Sequence, residues 1–429
     1  MAQNLSTLTA LAARIAKSAE VIDSFLKENQ LPEPSFEADG PKNFPVTDKN
    51  PEILAARDEL IDCTQELRDL VVGPTDTIKW RTMVDHTFTA SLQAIYRFKI
   101  AQAVPLEGEI IIADLSKATG LAEVDVARIM RCAAVHHVFQ EKTVGSFSHT
   151  ATSALLAQDK GMQALLGHMT DGAFPAAAKM CDFLEKYPGS QEPGESPYTM
   201  TFGSPMFARG AAEPHVMQRF IDAMTAWSTG DGSEGMVKGF DWAKLGAGKV
   251  VDVGGAAGHI SLAVASRFPD LTFAVQDVLP TKPHAEGLIA SFPADVASRV
   301  QWQAHDFFEP QPAECRGAAA YILRYICHDW PDRYASKILA NVAEAMTTES
   351  SLIIADAVLP PREVKLPRAQ EAILRGFDIS MLCQLNARER AIEDWTKLLK
   401  MADERFEIVG VTPPEKAGEV SIIEAKLRV

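Results

Sequence analysis

The chain has little cysteine for its length. Six cysteines (Cys63, Cys132, Cys181, Cys315, Cys327, Cys383) are scattered over 429 residues, without a CxxC step or histidines at zinc spacing. That argues against a disulfide framework and a zinc module, leaves no metal site to expect, and fits a reduced, cytoplasmic compartment. Positive charge is also scarce: 42 Lys and Arg face 57 Asp and Glu, a formal net charge of -15. Nucleic acid and anionic membrane surfaces are poor partners for such a chain, because both are gripped through clustered cations. Long apolar runs are missing from the N-terminus, where Arg14, Lys17, Glu20 and Asp23 interrupt the pattern. Neither a signal peptide nor a membrane span is expected there.

What is present is enough apolar residue, 47%, to build a substantial core over about two to three domains. Leu8, Leu11, Ala12, Ile15, Ala19, Ile22 and Leu26 recur at helical spacing. After the Pro- and Asp-rich stretch that follows, helices are expected near Glu52 to Val71 and from Asp76 to about Ala103. Residues 109 to 150 read as helix, turn at Gly120, second helix and Gly-containing hairpin, a winged-helix pattern. Its second helix offers only Arg128 and Arg131 as cations, so a packing or dimerisation role is favoured over DNA reading. Helical sequence from Gly161 to Tyr187 ends at PGSQEPGESP, residues 188 to 197, and the domain boundary is placed there. This gives an N-terminal helical and winged-helix domain over 1–190 and a second domain over 198–429. In the second, strands near Val250, Phe273, Val300, Tyr321, Leu352, Ile408 and Ser421 alternate with helices. A doubly wound, Rossmann-like α/β sheet is expected, finished by an antiparallel pair around TPPEKAGE.

The most informative stretch is KVVDVGGAAGHISLAVASRFPDLTFAVQDV, residues 249 to 278: strand, glycine turn, helix, and a second strand ending in Asp277. A dinucleotide site would place a third glycine three residues after the second. Here His259, Ile260 and Ser261 occupy that region instead. Asp252, Gly254, Gly255 and Gly258 fit better the turn of enzymes that bind S-adenosyl-L-methionine (SAM), with Ala256 in place of the middle glycine. SAM has no phosphates; its ammonium and sulfonium are cations and its ribose diol donates to a carboxylate. Asp252, Asp277 and Asp306 supply acids at three successive strand ends.

With AHDFF at 304 to 308 and LRYICHDWPD at 323 to 332, the chain from about residue 200 onward resembles the SAM-dependent O-methyltransferases that include plant caffeate and flavonoid enzymes and fungal secondary-metabolite enzymes. The winged-helix segment is similar to their N-terminal dimerisation domain, which implies a homodimer. The resemblance implies that Asp277 holds the ribose with Val278 beside it. Asp306 and Phe307 would meet the adenine, Trp330 would flank it, and Arg324 would stand where the family has a lysine. It further implies that His328 is the general base. A phenol with a pKa near 10 is little ionised at neutral pH, and a neutral imidazole about 3 Å away can take its proton. Two family glutamates that orient the base match Asp356, in LIIADAVLP, and Glu389, in ARERAIEDW. Met381, Phe377 and Phe202 are the acceptor-pocket candidates. The substrate implied is a small aromatic or polyketide-type molecule carrying a phenolic or enolic hydroxyl. Two other readings stand beside this one: a pericyclase or cyclase on the same fold that keeps SAM unconsumed, and a SAM-binding winged-helix regulator.

Overall fold

Alternation along the strands decides the architecture. In the run Leu352-Ile353-Ile354-Ala355 every residue is buried, but Leu352 and Ile354 pack in one apolar cluster while Ile353 and Ala355 pack in another. The same split separates Tyr321 and Leu323 from Ala320 and Ile322, and Val251 and Val253 from Val250. A strand with two apolar faces needs cover on both sides, which is why these runs read as continuous hydrophobic sequence.

The computed structural model describes residues 7–46, 49–228, 232–361, 363–414 and 420–429. The chain divides into two compact units. The first takes in residues up to Pro175 with Phe207–Trp227 and Pro367–Ala369; the second comprises Ala176–Met206, Ser228–Leu366 and Gln370–Val429.

In the first unit, α1 (Thr7–Glu28) packs Ile22 and Leu26 against Ile53 of α2 (Pro51–Trp80). Helical backbone breaks within α2 at Gly73 (φ 74°, ψ 166°), just before Pro74, whose ring cannot continue the hydrogen-bond ladder. A helix α3 (His86–Arg97) follows. The winged helix is then built from β1 (Ile110–Ile111), α4 (Ile112–Thr119), α5 (Glu123–Val135), β2 (Phe139–Thr143) and β3 (Ser146–His149), with sheet order β1-β3-β2. Gly120 closes α4 with φ 74°, a left-handed cap that glycine adopts without steric cost. Leu115, Val126, Met130, Phe139 and Phe147 form the core of this module. His136 and His137 stack on Phe88 and Phe36, with ring centroids 3.9 and 4.1 Å apart.

The second unit carries β4 (Lys249–Val253), α6 (His259–Arg267), β5 (Thr272–Asp277), β6 (Val300–Ala304) and β7 (Ala320–Arg324). These are followed by α7 (Asp332–Ala345), β8 (Ser351–Asp356), the short β9 (Val358–Leu359), α8 (Arg368–Leu385), the short β10 (Arg390–Ala391), α9 (Ile392–Ala402), β11 (Phe406–Thr412) and β12 (Ser421–Leu427). The seven-stranded sheet has the order β11-β12-β8-β7-β4-β5-β6. Strands β6, β5, β4, β7 and β8 are parallel, and β12 runs antiparallel to both β8 and β11. All seven expected strands are present, and the antiparallel finish is as anticipated; residues 415–419 of the TPPEKAGE turn lie outside the described residues. Chain order reverses at β4, so the crevice at the carboxyl ends of β4, β5 and β7 is where an open α/β sheet takes a ligand.

The Pro- and Gly-rich stretch at 188–197 has the composition of a linker but is anchored within the second unit. Asn386 donates to the Ser190 and Glu192 carbonyls at 3.1 and 3.2 Å, and the Tyr334 hydroxyl donates to Glu192 at 2.7 Å. All six cysteines are free thiols. Among the described residues no helix is long and apolar enough to cross a membrane, and no three His, Cys, Asp or Glu side chains are grouped to hold a metal ion.

Candidate active site

The turn after β4 is held from beneath and from the side. Asp252, buried at the end of β4, accepts from Ser261 Oγ at 2.6 Å and thereby ties the turn to the first turn of α6. Burial pushes its carboxyl up to about 6, against the lowering effect of the serine. A Cβ on Gly255 would meet that carboxylate at 2.5 Å, and one on Gly254 would meet Ile326 Cδ1 at 2.4 Å. Gly258, at φ 83°, would meet Val275 at 3.0 Å. Gly255 is thus required by packing against Asp252, Gly254 and Gly258 by their left-handed backbone, and Asp252 supports the turn rather than facing outward from it.

Asp277, at the carboxyl end of β5, accepts from the Ala256 N–H at 2.8 Å through one oxygen and from the Val278 N–H at 2.7 Å through the other. Each carboxylate oxygen keeps a further lone pair. Burial holds this carboxyl above its ordinary value despite those two donors and the Thr281 hydroxyl. Asp306, after β6, accepts from the Phe308 N–H at 2.9 Å. Phe307, Phe308 and Trp330 form an aromatic group, with the Trp330 ring edge-on to Phe308 at 4.8 Å and to Phe307 at 5.9 Å. Arg324, at the end of β7, faces His259 Nε2 at 3.4 Å, lies 4.7 Å from the Tyr325 ring centroid, and has its buried Nε without a hydrogen-bond partner.

His328 sits in the single helical turn Cys327–Asp329 and is almost wholly buried. Its Nδ1 donates to Glu389 Oε1 at 2.9 Å, and its Nε2 faces Asp329 Oδ1 at 3.4 Å. Glu389 owes its place to three neighbours: Asp378 of α8 accepts its N–H at 3.0 Å, β10 begins at the next residue, and β10 pairs with β9 just beyond Asp356. It therefore stands before a strand, not in the first turn of α9. Asp356 is fully buried, and neither of its carboxylate oxygens has a hydrogen-bond partner; one methylene shorter than glutamate, it acts on His328 through its field. Burial would lower the His328 pKa, but Asp329, Asp356 and Glu389 together raise it to about 10. Burial pushes Asp356 up to about 7 and Asp329 up to about 6. The acids around the ring thus favour its protonated form.

Met381 is buried on α8 one turn from Asp378, and Phe377 is half-buried on the same helix. Phe202 packs against Tyr198, ring centroids 4.5 Å apart. Two side chains that sequence reasoning passed over complete the group. Asp329 faces the second ring nitrogen. Arg390, with no exposed side-chain surface, donates to the carbonyls of Cys327 at 2.7 Å and Trp330 at 2.8 Å and makes a two-point pair with Asp332, Nε at 2.9 Å and Nη2 at 2.7 Å. The available signal was an arginine directly after the candidate orienting acid, just before a helix.

A family model described as the O-methyltransferase domain matches residues 187–404. The grayanic acid biosynthesis cluster O-methyltransferase of Cladonia grayi is 35% identical over 424 residues, covering 98% of this chain and 88% of that protein. O-methyltransferase pgmB of Aspergillus terreus is 34% identical, covering 100% and 97%. The chain belongs to the O-methyltransferase family. Its fold is shared with the crystal structure of OxaC, at a TM-score of 0.76 and 22% identity over 98% of this chain and 99% of that one. OxaC has also been solved in complex with SAH and oxaline.

Two outcomes test this geometry. Replacing Arg390 of the methyltransferase with Met would leave the Cys327 and Trp330 carbonyls without their donor and Asp332 with Arg388 alone, at 2.6 Å. It should lower stability by about 1 to 3 kcal/mol, the usual cost of leaving a buried acceptor unsatisfied, and depress turnover; wild-type unfolding and turnover would contradict the assigned role. The ring nitrogens of His328, read by 15N NMR, should report an imidazolium at pH 8 in the donor-free protein. A pKa raised above 6.5 contributes stability that is complete below pH 6.5 and is lost as pH rises through about 10. A ring already neutral at pH 8 would refute the acid cluster's effect.

Proposed function

We propose that this methyltransferase methylates a phenolic or enolic hydroxyl of a fungal secondary metabolite, with His328 as general base and Glu389 as the residue that orients it. The observation that carries the reading is the 2.9 Å contact from His328 Nδ1 to Glu389, which leaves Nε2 as the nitrogen that meets a proton donor. When the Nε2 proton has left, Nδ1–H still donates to Glu389 and Nε2 is a free acceptor. Asp356 and Asp329 stabilise the positive ring once it has taken the hydroxyl proton.

SAM is the cofactor, and the residues present suit its chemistry. The Arg324 Nε and both Asp356 oxygens are buried without a hydrogen-bond partner, polar atoms a ligand could satisfy. Asp277 is pre-oriented by two backbone donors with lone pairs to spare for a diol. Asp277, Val278, Asp306, Phe307, Arg324 and Trp330, with the turn at Gly254, Gly255 and Gly258, are the residues that would hold it. When bound, SAM supplies a methyl group on a cationic sulfur, open to in-line attack by a hydroxyl oxygen. A cation held near Asp329, Asp356 and Glu389 would compete with the ring proton for the same acids and would favour neutral His328. Phe202, Phe377 and Met381 would line the acceptor pocket and select a flat apolar molecule.

The N-terminal domain, residues 1–190, would serve dimerisation. Val71, Ile78, Trp80 and Met83 expose large apolar surfaces along and just after α2. A monomer in sedimentation equilibrium would refute the dimer. DNA reading is disfavoured, because Arg131 is paired to Glu141 at 2.9 Å and Arg128 to Asp125 at 3.4 Å.

His328→Gln keeps the size and polarity of the ring and removes the base. Methyl transfer should fall by at least about 100-fold, the low end of what general-base catalysis contributes. S-adenosylhomocysteine affinity, read by calorimetry, should hold within about twofold. Retained turnover would remove His328 from the mechanism.

A further inference from the structure

Ala256 stands at φ 48°, in the left-handed region that glycine enters freely and an L-residue does not. It is flanked by Gly254 at φ 72° and Gly258 at φ 83°, so the turn after β4 alternates left-handed positions and places its one methyl-bearing residue on the second of them. Ala256 is exposed, and no burial of its methyl holds it there. Its peptide groups are gripped by side chains of the next two strands. The N–H goes to Asp277 at the end of β5, and the carbonyl accepts from the indole Nε1 of Trp302 on β6 at 3.1 Å. Trp302 lies in register with Val275 of β5 and packs half-buried on the cluster that contains Val275, Val300 and Ile260. Its ring therefore reaches from β6 past β5 to the turn after β4.

We propose that Trp302 is a positioning residue of the cofactor turn: its indole N–H holds Ala256 left-handed, which in turn keeps the Ala256 N–H on Asp277 and that carboxylate aimed for a ribose diol. A chain with glycine at position 256 would not need the strut. The ligand rests on the cofactor reading above; the strut itself does not. Loss of the indole donor lets the turn populate other conformers, and apparent affinity falls with the fraction that remains competent.

Trp302→Phe keeps the packed ring and removes the donor. It is compared in the native and the Ala256→Gly backgrounds, with S-adenosylhomocysteine dissociation constants from calorimetry and amide hydrogen exchange over residues 252–262 without ligand. With Ala256 in place, Trp302→Phe should weaken binding about fivefold, the worth of one neutral hydrogen bond, and speed exchange across the turn. In the Ala256→Gly background the loss in affinity should shrink below about twofold. Equal losses in both backgrounds would make Trp302 a ring contact and overturn the proposal, as would no loss in either or unchanged exchange. Failure of the wild-type protein to bind S-adenosylhomocysteine would count against the cofactor reading, and exchange in the free protein would then decide the strut.

Discussion

The site depends on one buried guanidinium. A charge taken wholly out of water must be paired and hydrogen-bonded, and Arg390 meets that demand with Asp332 and with the Cys327 and Trp330 carbonyls, which bracket His328 on either side. The planar fork of an arginine reaches these acceptors at once, as the single ammonium of a lysine could not. Because Arg390 directly follows Glu389 in the chain, the interaction that fixes the turn carrying His328 also fixes Glu389. The proposed base and the proposed orienter are registered to each other through one covalent neighbour.

Around that anchor the second unit gathers more negative than positive charge at the carboxyl ends of its strands. Asp252 supports the glycine turn from below, Asp277 and Asp306 follow β5 and β6, and Asp329, Asp356 and Glu389 surround the imidazole. Arg324 stands at the end of β7, in register with Ala355 next to Asp356, and it responds to the charges of both Asp252 and Asp356. Such a surface suits a ligand whose reacting atom is a cation.

Much of this was legible in the sequence because the physics is local. Apolar runs of strand length bounded by turn residues marked all seven strands, and the acids at their ends followed from the same reading. His328 and Glu389 were found by resemblance, and the structure brings them within hydrogen-bonding distance. The remainder depends on contacts distant in sequence. Arg390 looks like any surface cation until Asp332 and two carbonyls close around it. Asp329 reads as part of a motif and shows its bearing on Nε2 only when the turn is built. The glycines of the β4 turn look like ligand clearance, yet a Cβ on Gly255 would collide with the Asp252 carboxylate, and Gly254 and Gly258 hold left-handed backbone. Residues 188–197 look like a linker because composition does not reveal that Asn386 and Tyr334 hold them.

The most direct measurement is the fate of a deuterated methyl group. Incubated with CD3-labelled SAM and a panel of phenolic and enolic polyketide-type acceptors, the protein should place one labelled methyl on an acceptor oxygen for each S-adenosylhomocysteine formed. Recovery of intact labelled SAM alongside a rearranged, unmethylated product would contradict that claim and mark the site as one that uses the sulfonium charge without consuming it.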